Sequence, residues 1–469
     1  MLRATDVEVD VLIVGAGPIG LSAIKAFKER GLSVLGVDKR PGVGGIWSTP
    51  YEKGEPIYPG LLMNTSSQTT SFSDYPQPAA PPHQTVRQYH GYLQEYSRSF
   101  DLESDVMTSA TVASVNRTDS GFLVKINRDG EIVRASSKYV CVCAGFTGLP
   151  HCPALAGEDR FTGEVLHCGA FRDQATERTR TIVIIGNGNT AFDIALLALA
   201  RAPNARVLLS SRRPTIIVPR FLAGSPIDHY DDYQRLTSSS NTEADPPVLS
   251  QLINQHGVLL SASPVQADAT QARITVNDYA LEAIKSGRLE LRREIAGLCG
   301  TSVYVADGSR EEADFICKCT GWSADISFVS QDVADTALIP GEAHIDARGD
   351  FSVIGTPIAW GGTPPVGEMQ ARCVAQIASL LIKGNRTAAQ RLITGLAQII
   401  NGKKILLYGD ALMRMAKLID CAPAVEMFRA EDPFLSRPIT AHHFRRGDVL
   451  DSSQSSRLLR NSSWREARS

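Results

Sequence analysis

The sequence has no uninterrupted apolar run near the roughly 18 residues that a bilayer-spanning helix needs. Its first residues, Met1-Leu2-Arg3-Ala4-Thr5-Asp6, lead into a strand pattern without the apolar core of a signal peptide. An excess of either charge is also missing: 48 basic against 50 acidic side chains leave a net charge of −2. No basic field is left to hold a phosphate backbone, so nucleic acid is not an expected partner. Nine cysteines, an odd number spread over 469 residues, make no disulfide framework, and no C-x-x-C redox pair is present. Two pairs have a spacing of two, Cys141 with Cys143 and Cys317 with Cys319, which puts both sulfurs of a pair on one strand face. Structural zinc uses turns of wider spacing, so small core side chains and no metal are expected. A soluble, cytoplasmic chain with room for two or three separately packed domains is the expectation.

What is present is a strand–glycine–helix unit, built twice. In the first, the apolar run Val11-Leu12-Ile13-Val14 enters Gly15-Ala16-Gly17-Pro18-Ile19-Gly20. Such a turn needs its first glycine for the tight bend, its second for close approach of a pyrophosphate, and its third for helix–strand packing. The helix N-terminus then offers unpaired N–H groups and a positive dipole end to phosphate. The second strand ends at Val37-Asp38-Lys39, with an acid where a ribose hydroxyl would be met. A Gly/Pro-rich stretch follows, containing Gly44-Gly45-Ile46-Trp47.

The second unit runs from Thr181-Ile182-Val183-Ile184-Ile185 into Gly186-Asn187-Gly188-Asn189-Thr190-Ala191-Phe192-Asp193. Ala191 stands in the place of the third glycine and is small enough for the same packing. Asp193 is expected in the first helical turn, as a cap or a ligand contact. The next strand ends without an acid, in Ser210-Ser211-Arg212-Arg213. Hydroxyls and guanidinium groups suit a 2′-phosphate, which a carboxylate would repel, so this site favours NADPH over NADH.

Between and beyond these units, Gly121–Ala135 patterns as a hairpin around Arg128-Asp129-Gly130. Phe315–Cys319 and Phe351–Ile354 look like returning strands of the first domain, and Val366–Leu381 like a helix, with apolar spacing continuing over Ala388–Ile419. The Ser/Asn/Asp/Pro-rich stretch near 224–250 suits a surface insertion. From Arg437 to Ser469 there are seven Arg against three acidic residues, a charge run of the kind found on solvated tails. The expected fold is α/β, with two Rossmann-like, three-layer dinucleotide-binding domains, the second inserted in the first. The expected boundaries are 1–155 and 315–385 for the first domain, 156–314 for the second, and 386–469 for a helical region and polar tail.

These segments together resemble the class B flavin-dependent monooxygenases, in particular the flavin-containing monooxygenase branch, over most of residues 9–380. Phe161-Thr162-Gly163-Glu164-Val165-Leu166-His167-Cys168-Gly169-Ala170-Phe171-Arg172 is similar to the family fingerprint F-x-G-x-x-x-H-x-x-x followed by an aromatic and a basic residue. Baeyer–Villiger relatives carry Trp at the position of Phe171. Gly45-Ile46-Trp47 is similar to the G-G-x-W segment that meets the flavin, which assigns FAD to the first turn. Met63-Asn64-Thr65-Ser66 resembles the segment passing flavin and nicotinamide, and Asn64 matches the side chain closest to the oxygen chemistry. Asp314 to Trp322 resembles the D-x-(apolar)-x-x-A-T-G-Y segment, with Cys319 for Ala and Trp322 for Tyr. Glu368-Met369-Gln370-Ala371-Arg372 resembles the E-x-Q-A-R segment that starts a helix beside the flavin. Val112 and Gln370 complete the cofactor-contacting set that the resemblance implies, and His167 is expected to pack and position.

The resemblance implies that NADPH reduces FAD, that O2 adds to give a flavin peroxide, and that nitrogen or sulfur of a small molecule takes one oxygen atom. Cofactors carry that chemistry, so a missing triad or metal cluster does not argue against an enzyme. Two alternatives stay open: a Baeyer–Villiger oxygenase, and a non-oxygenating NADPH–flavin reductase or inactive flavin-binding module. A homodimer is possible. The match to short microbial forms, some of which act in natural-product pathways, suggests secondary metabolism by association only.

Overall fold

Val11 to Val14 are all buried, as a strand paired on both edges and covered on both faces must be. In a computed structural model that describes residues 6–48, 54–172, 179–222, 224–229, 273–334, 344–346, 348–355, 358–360, 363–400 and 405–407, this strand is Asp6–Val14. It runs parallel between Val34–Val37 and Glu131–Val142. Val106–Met107 extends the sheet beyond Val34–Val37, while Phe351–Val353 and His344–Ile345 extend it beyond Glu131–Val142. Ala110–Thr118 and Gly121–Arg128 complete it as antiparallel hairpins. Arg128 pairs with Glu131, leaving Asp129 and Gly130 as a two-residue loop with φ of 53° and 84°. Positive φ at both positions gives a twist that matches the flanking strands, which is why Asp-Gly works there.

Two layers cover this sheet. Leu12, Val14, Val112, Val115, Phe122 and Val124 fill one core with the hairpins. The helix Pro18–Lys28 packs with the long helix Thr363–Ile382, where a Cβ at Gly367 would lie 2.1 Å from Ile19 Cδ1. Residues Pro364 to Leu380 are buried all round, so Glu368 and Arg372 must pair within the protein, at 2.5 Å. Ser73 donates to Glu368 through both its backbone N–H and its hydroxyl.

The chain divides into two compact units, one of residues 1–49, 65–148 and 324–469, the other of residues 50–64 and 149–323. The second holds a five-stranded, all-parallel sheet in the order Leu289–Arg292, Arg206–Ser210, Thr181–Ile185, Phe315–Lys318, Glu164–His167. The helix Asn189–Arg201 covers one face through Phe192, Ile194, Ala195 and Ala198. The meander Ile295–Cys299, Ser302–Val305, Arg310–Glu312 covers the other through Leu298 and Val303. Each unit is thus an α/β, three-layer body of the dinucleotide-binding kind.

Three expectations are corrected. Phe315–Lys318 belongs to the second unit, hydrogen-bonded on both edges to strands of that sheet. A short apolar run carries no mark of which sheet it joins. The helix Asn189–Arg201 has no acid in its first turn: Gly188 is its extended N-cap, and Asp193 is the fifth helical residue. The helix containing Glu368 starts at Thr363, so Glu368 lies in its second turn. The helix after it is Arg386–Ile400; most of the 224–250 insertion, the apolar spacing to Ile419 past 407, and the polar tail lie outside the described residues. Among the described residues no helix is long and apolar enough to cross a membrane.

Candidate active site

In the first unit the glycine turn leaves the central strand at the switch point between its two parallel neighbours, where open α/β sheets bind ligands. Gly15 has φ +101°, and a Cβ there would lie 2.5 Å from Cys143 O. A Cβ at Gly20 would lie 1.9 Å from Gly15 O. Protein packing therefore explains both. Gly17 differs, because a Cβ there would meet nothing closer than Gly45 Cα at 3.6 Å. A glycine that its own fold does not demand, on a helix N-cap without a side-chain cap, fits close approach by a phosphate. Pro18 sits at the first helical position, with Ile19 behind it.

Asp38 is buried and both its carboxylate oxygens are engaged: Oδ2 accepts from Ala16 N at 2.7 Å and Oδ1 from Arg40 N at 2.9 Å. Each oxygen keeps a further lone pair for a hydroxyl. Lys39 is exposed beside it. Gly45, Ile46 and Trp47 form a short 3₁₀ turn, and a Cβ at Gly45 would lie 2.8 Å from Gly17 Cα, so the two glycine segments touch backbone to backbone. Trp47 stands edge-on to Tyr89, with centroids 5.0 Å apart. Thr65 Oγ1 is bonded to Thr70 Oγ1 at 3.0 Å. Val112 points into the core beside a register shift between Val112 and Ser114. Gln370 Oε1 accepts from Gly355 N at 2.8 Å.

In the second unit, Gly186 has φ +134°, with a Cβ position 2.3 Å from Cys319 O, and Ala191 is fully buried in the helix–sheet core. Asn187 Nδ2 donates to Arg213 O at 3.0 Å, tying the turn to the end of the next strand. Thr275 Oγ1 donates to Asn187 O and Val276 N to Asn189 Oδ1. Thr190 follows at the second helical position. Ser211 Oγ donates to Arg213 O at 2.9 Å, and Arg212 and Arg213 are exposed. Arg292 on the neighbouring strand, by contrast, is neutralised by Glu290 and Glu311. Asp193 is turned inward: Tyr58 Oη donates to its Oδ2 at 2.6 Å and Asn277 Nδ2 to its Oδ1 at 2.8 Å. Burial raises its pKa against the pull of these donors and of Arg220. In the structure Asp193 is a tether for the 54–64 segment.

That segment ends at Asn64, which belongs to the second unit. Its Oδ1 accepts from Arg220 Nη2 at 3.0 Å. The same guanidinium holds Met63 O and Leu62 O at 3.2 Å each, and its Nη1 pairs with Asp278 at 2.7 Å. Arg220, Asp278 and Tyr58 have no motif around them. The only signal was a lone charge in the apolar run Ile216-Ile217-Val218-Pro219-Arg220-Phe221.

The sequence profile of the flavin-binding monooxygenase-like family matches residues 8–415. The chain belongs to this family. It is a flavin-dependent monooxygenase. Flavin-containing monooxygenase 5 of Oryctolagus cuniculus is 26% identical over 93% of this chain and 88% of its own length. The N-oxide-forming dimethylaniline monooxygenase 2 of Macaca mulatta is 27% identical over 86% of this chain and 78% of its own. The open crystal structure of cyclohexanone monooxygenase superposes with a TM-score of 0.62 at 17% identity, covering 90% of this chain and 99% of the other, which shows a shared fold.

Within this flavin-binding monooxygenase the fingerprint segment is a packing device. His167 Nε2 lies 3.0 Å from Gly321 O, and its ring stands edge-on to Trp322 at 4.8 Å. A Cβ at Gly169 would lie 2.7 Å from the Trp322 ring, so this glycine is the counterpart of a Trp at 322. Burial opposes a charge on His167, but its contacts with Cys168 and Gly321 O outweigh that and raise its pKa. Phe171 is fully buried and stacks on Phe315 at 6.0 Å. The thiols spaced two apart along one run lie side by side, Cys141 and Cys143 at 3.7 Å, Cys317 and Cys319 at 4.0 Å.

Proposed function

We propose that this monooxygenase places one oxygen atom of O2 on nitrogen or sulfur of a small molecule, with FAD on the first glycine turn and NADPH on the second. The observation that carries the assignment is the difference between the two turns. Beside the first lies Asp38, anchored by backbone N–H groups with lone pairs to spare for a ribose. Beside the second lie Ser211, Arg212 and Arg213, the two arginines exposed, their strand end tied to the turn through Asn187. A carboxylate accepts hydroxyls and repels phosphate; a guanidinium does the reverse.

When bound, the two cofactors supply hydride transfer and oxygen activation. The chain's part is to bind and orient them. Gly15, Ala16, Gly17 and the N-terminus of Pro18–Lys28 hold one pyrophosphate, and Gly186, Asn187, Gly188 and the N-terminus of Asn189–Arg201 the other. Lys39, Ile46, Trp47, Thr65, Val112 and Gln370 belong to the FAD side in this reading. The Asn64 amide offers one oriented hydrogen bond to the oxygen chemistry. Phe171, where Baeyer–Villiger relatives carry Trp, supports heteroatom oxidation over ester formation.

The test is to incubate the flavin-loaded enzyme with NADPH and air beside a tertiary amine, a thioether and a ketone, and to analyse products by mass. An N-oxide or sulfoxide supports the reading. An ester from the ketone alone makes the enzyme a Baeyer–Villiger oxygenase. Hydrogen peroxide in stoichiometric yield, with no oxygenated product, overturns both.

A further inference from the structure

We propose that Arg220 is a positioning residue: it clamps the Asn64 carboxamide so that the NH2 group, and not the carbonyl, is left to donate. The inference rests on the role given to Asn64 above and adds the group that makes that role possible. A free carboxamide can rotate about its last bond and present either end, and the two orientations differ little in size. Arg has five donors and no acceptor, so the atom facing Nη2 at 3.0 Å is the Asn64 oxygen. The NH2 group makes no hydrogen bond among the described residues and remains a donor.

The clamp is more than one contact. Arg220 is 5% exposed, and its fork reaches three consecutive residues: Leu62 O, Met63 O and Asn64 Oδ1. That fixes the backbone of the segment together with its terminal amide. Asp278 holds the other side of the guanidinium, accepting from Nη1 at 2.7 Å and from Arg220 N at 2.8 Å. It also balances the buried charge, so that Asn64 presents a neutral donor rather than a cationic site. A lysine could keep the ion pair with Asp278, but its compact ammonium cannot span the three acceptors of a planar fork.

The test uses the flavin-loaded enzyme with NADPH and air and no organic substrate, and reads the rate of hydrogen peroxide release for Asn64→Ala, Arg220→Gln, Arg220→Lys and Asn64→Ala/Arg220→Gln. The change in absorbance of the oxidised, bound flavin on adding NADP⁺ is recorded alongside, as is thermal melting. Loss of one oriented hydrogen bond is expected to raise peroxide release roughly fivefold in Asn64→Ala. Arg220→Gln should match it, and the double variant should be no worse than Asn64→Ala alone, because two residues acting through one contact are not additive. Arg220→Lys should also leak, with melting near wild type, and should lose the NADP⁺-induced absorbance change as Asn64→Ala does. An Arg220 variant that adds its full effect on the Asn64→Ala background, or leaves peroxide release at the wild-type rate, overturns the proposal. Unchanged peroxide release in Asn64→Ala instead removes the role of Asn64, and the clamp with it.

Discussion

Asp38 Oδ2 accepts the backbone N–H of Ala16 at 2.7 Å, so the acid that ends the second strand also braces the glycine turn after the first. Its other oxygen takes Arg40 N at 2.9 Å. Removing this carboxylate takes the acceptor from the buried Ala16 N–H and from the part-buried Arg40 N–H. Asp38→Ala is therefore expected to cost about 2 kcal/mol of stability and to lower the flavin retained after gel filtration. Flavin-to-protein absorbance ratio and thermal melting check it; full flavin content at wild-type stability would remove both roles.

Gly17 and Gly20 separate ligand space from packing. Gly20→Ala puts a methyl into Gly15 O and should destabilise the fold by about 3 kcal/mol or prevent folding. Gly17→Ala has room within the protein, so melting of the flavin-free form should stay within about 1 kcal/mol of wild type while flavin binding falls at least tenfold. Flavin titration with differential scanning fluorimetry distinguishes the two.

Arg212→Ala should raise the KM for NADPH by about tenfold, the worth of one charge-assisted phosphate contact, and leave the KM for NADH within twofold. Arg292→Ala should not show this selectivity, because Glu290 and Glu311 already occupy its guanidinium. Steady-state kinetics with both nucleotides read the difference. Equal effects of Arg212→Ala on the two would take the 2′-phosphate away from this residue.

Glu158 and Lys318 form an ion pair at 2.6 Å, with Lys318 almost fully enclosed and Glu158 part-exposed. Burial opposes ionisation of Glu158, but the Lys318 ammonium and Leu155 N–H outweigh it and lower its pKa below 4.5. A carboxyl depressed in the folded state contributes stability above its unfolded pKa and loses it as pH falls through the folded value. Glu158→Gln leaves a buried ammonium without its counter-ion and should cost about 3 kcal/mol near pH 7. The difference from wild type should shrink below pH 4.5; urea denaturation at pH 7 and pH 3.5 measures it.

Much of this was legible because its causes are local. Turn glycines, the Asp-Gly hairpin and the apolar strands follow from backbone sterics and period-two burial over a few residues. Phe315–Lys318 was misplaced because its destination depends on which edges are vacant after the crossovers are made, and an apolar run encodes no partner. Asp193 was expected in the first helical turn, yet with Gly188 as N-cap the helix starts at Asn189, four residues before Asp193, and Tyr58 and Asn277 claim its oxygens. The same limit hid Arg220, which lies 156 residues from the amide it holds.

The sequence by itself determined two dinucleotide turns, the chemistry of the residue ending each following strand, and a family. Those are properties of contiguous residues, since a turn of glycines and an acid or arginine at a strand end carry their physics with them. Only the tertiary structure decided which side chains are spent on the protein and which remain for a ligand. Asp193 is held by Tyr58 and Asn277, both distant in the chain, Arg292 is neutralised by Glu290 and Glu311, Gly17 has room for a Cβ that its fold does not use, and Asn64 is held by its oxygen. A hydrogen bond or an ion pair is a matter of distance in space, and separation along the chain does not set it.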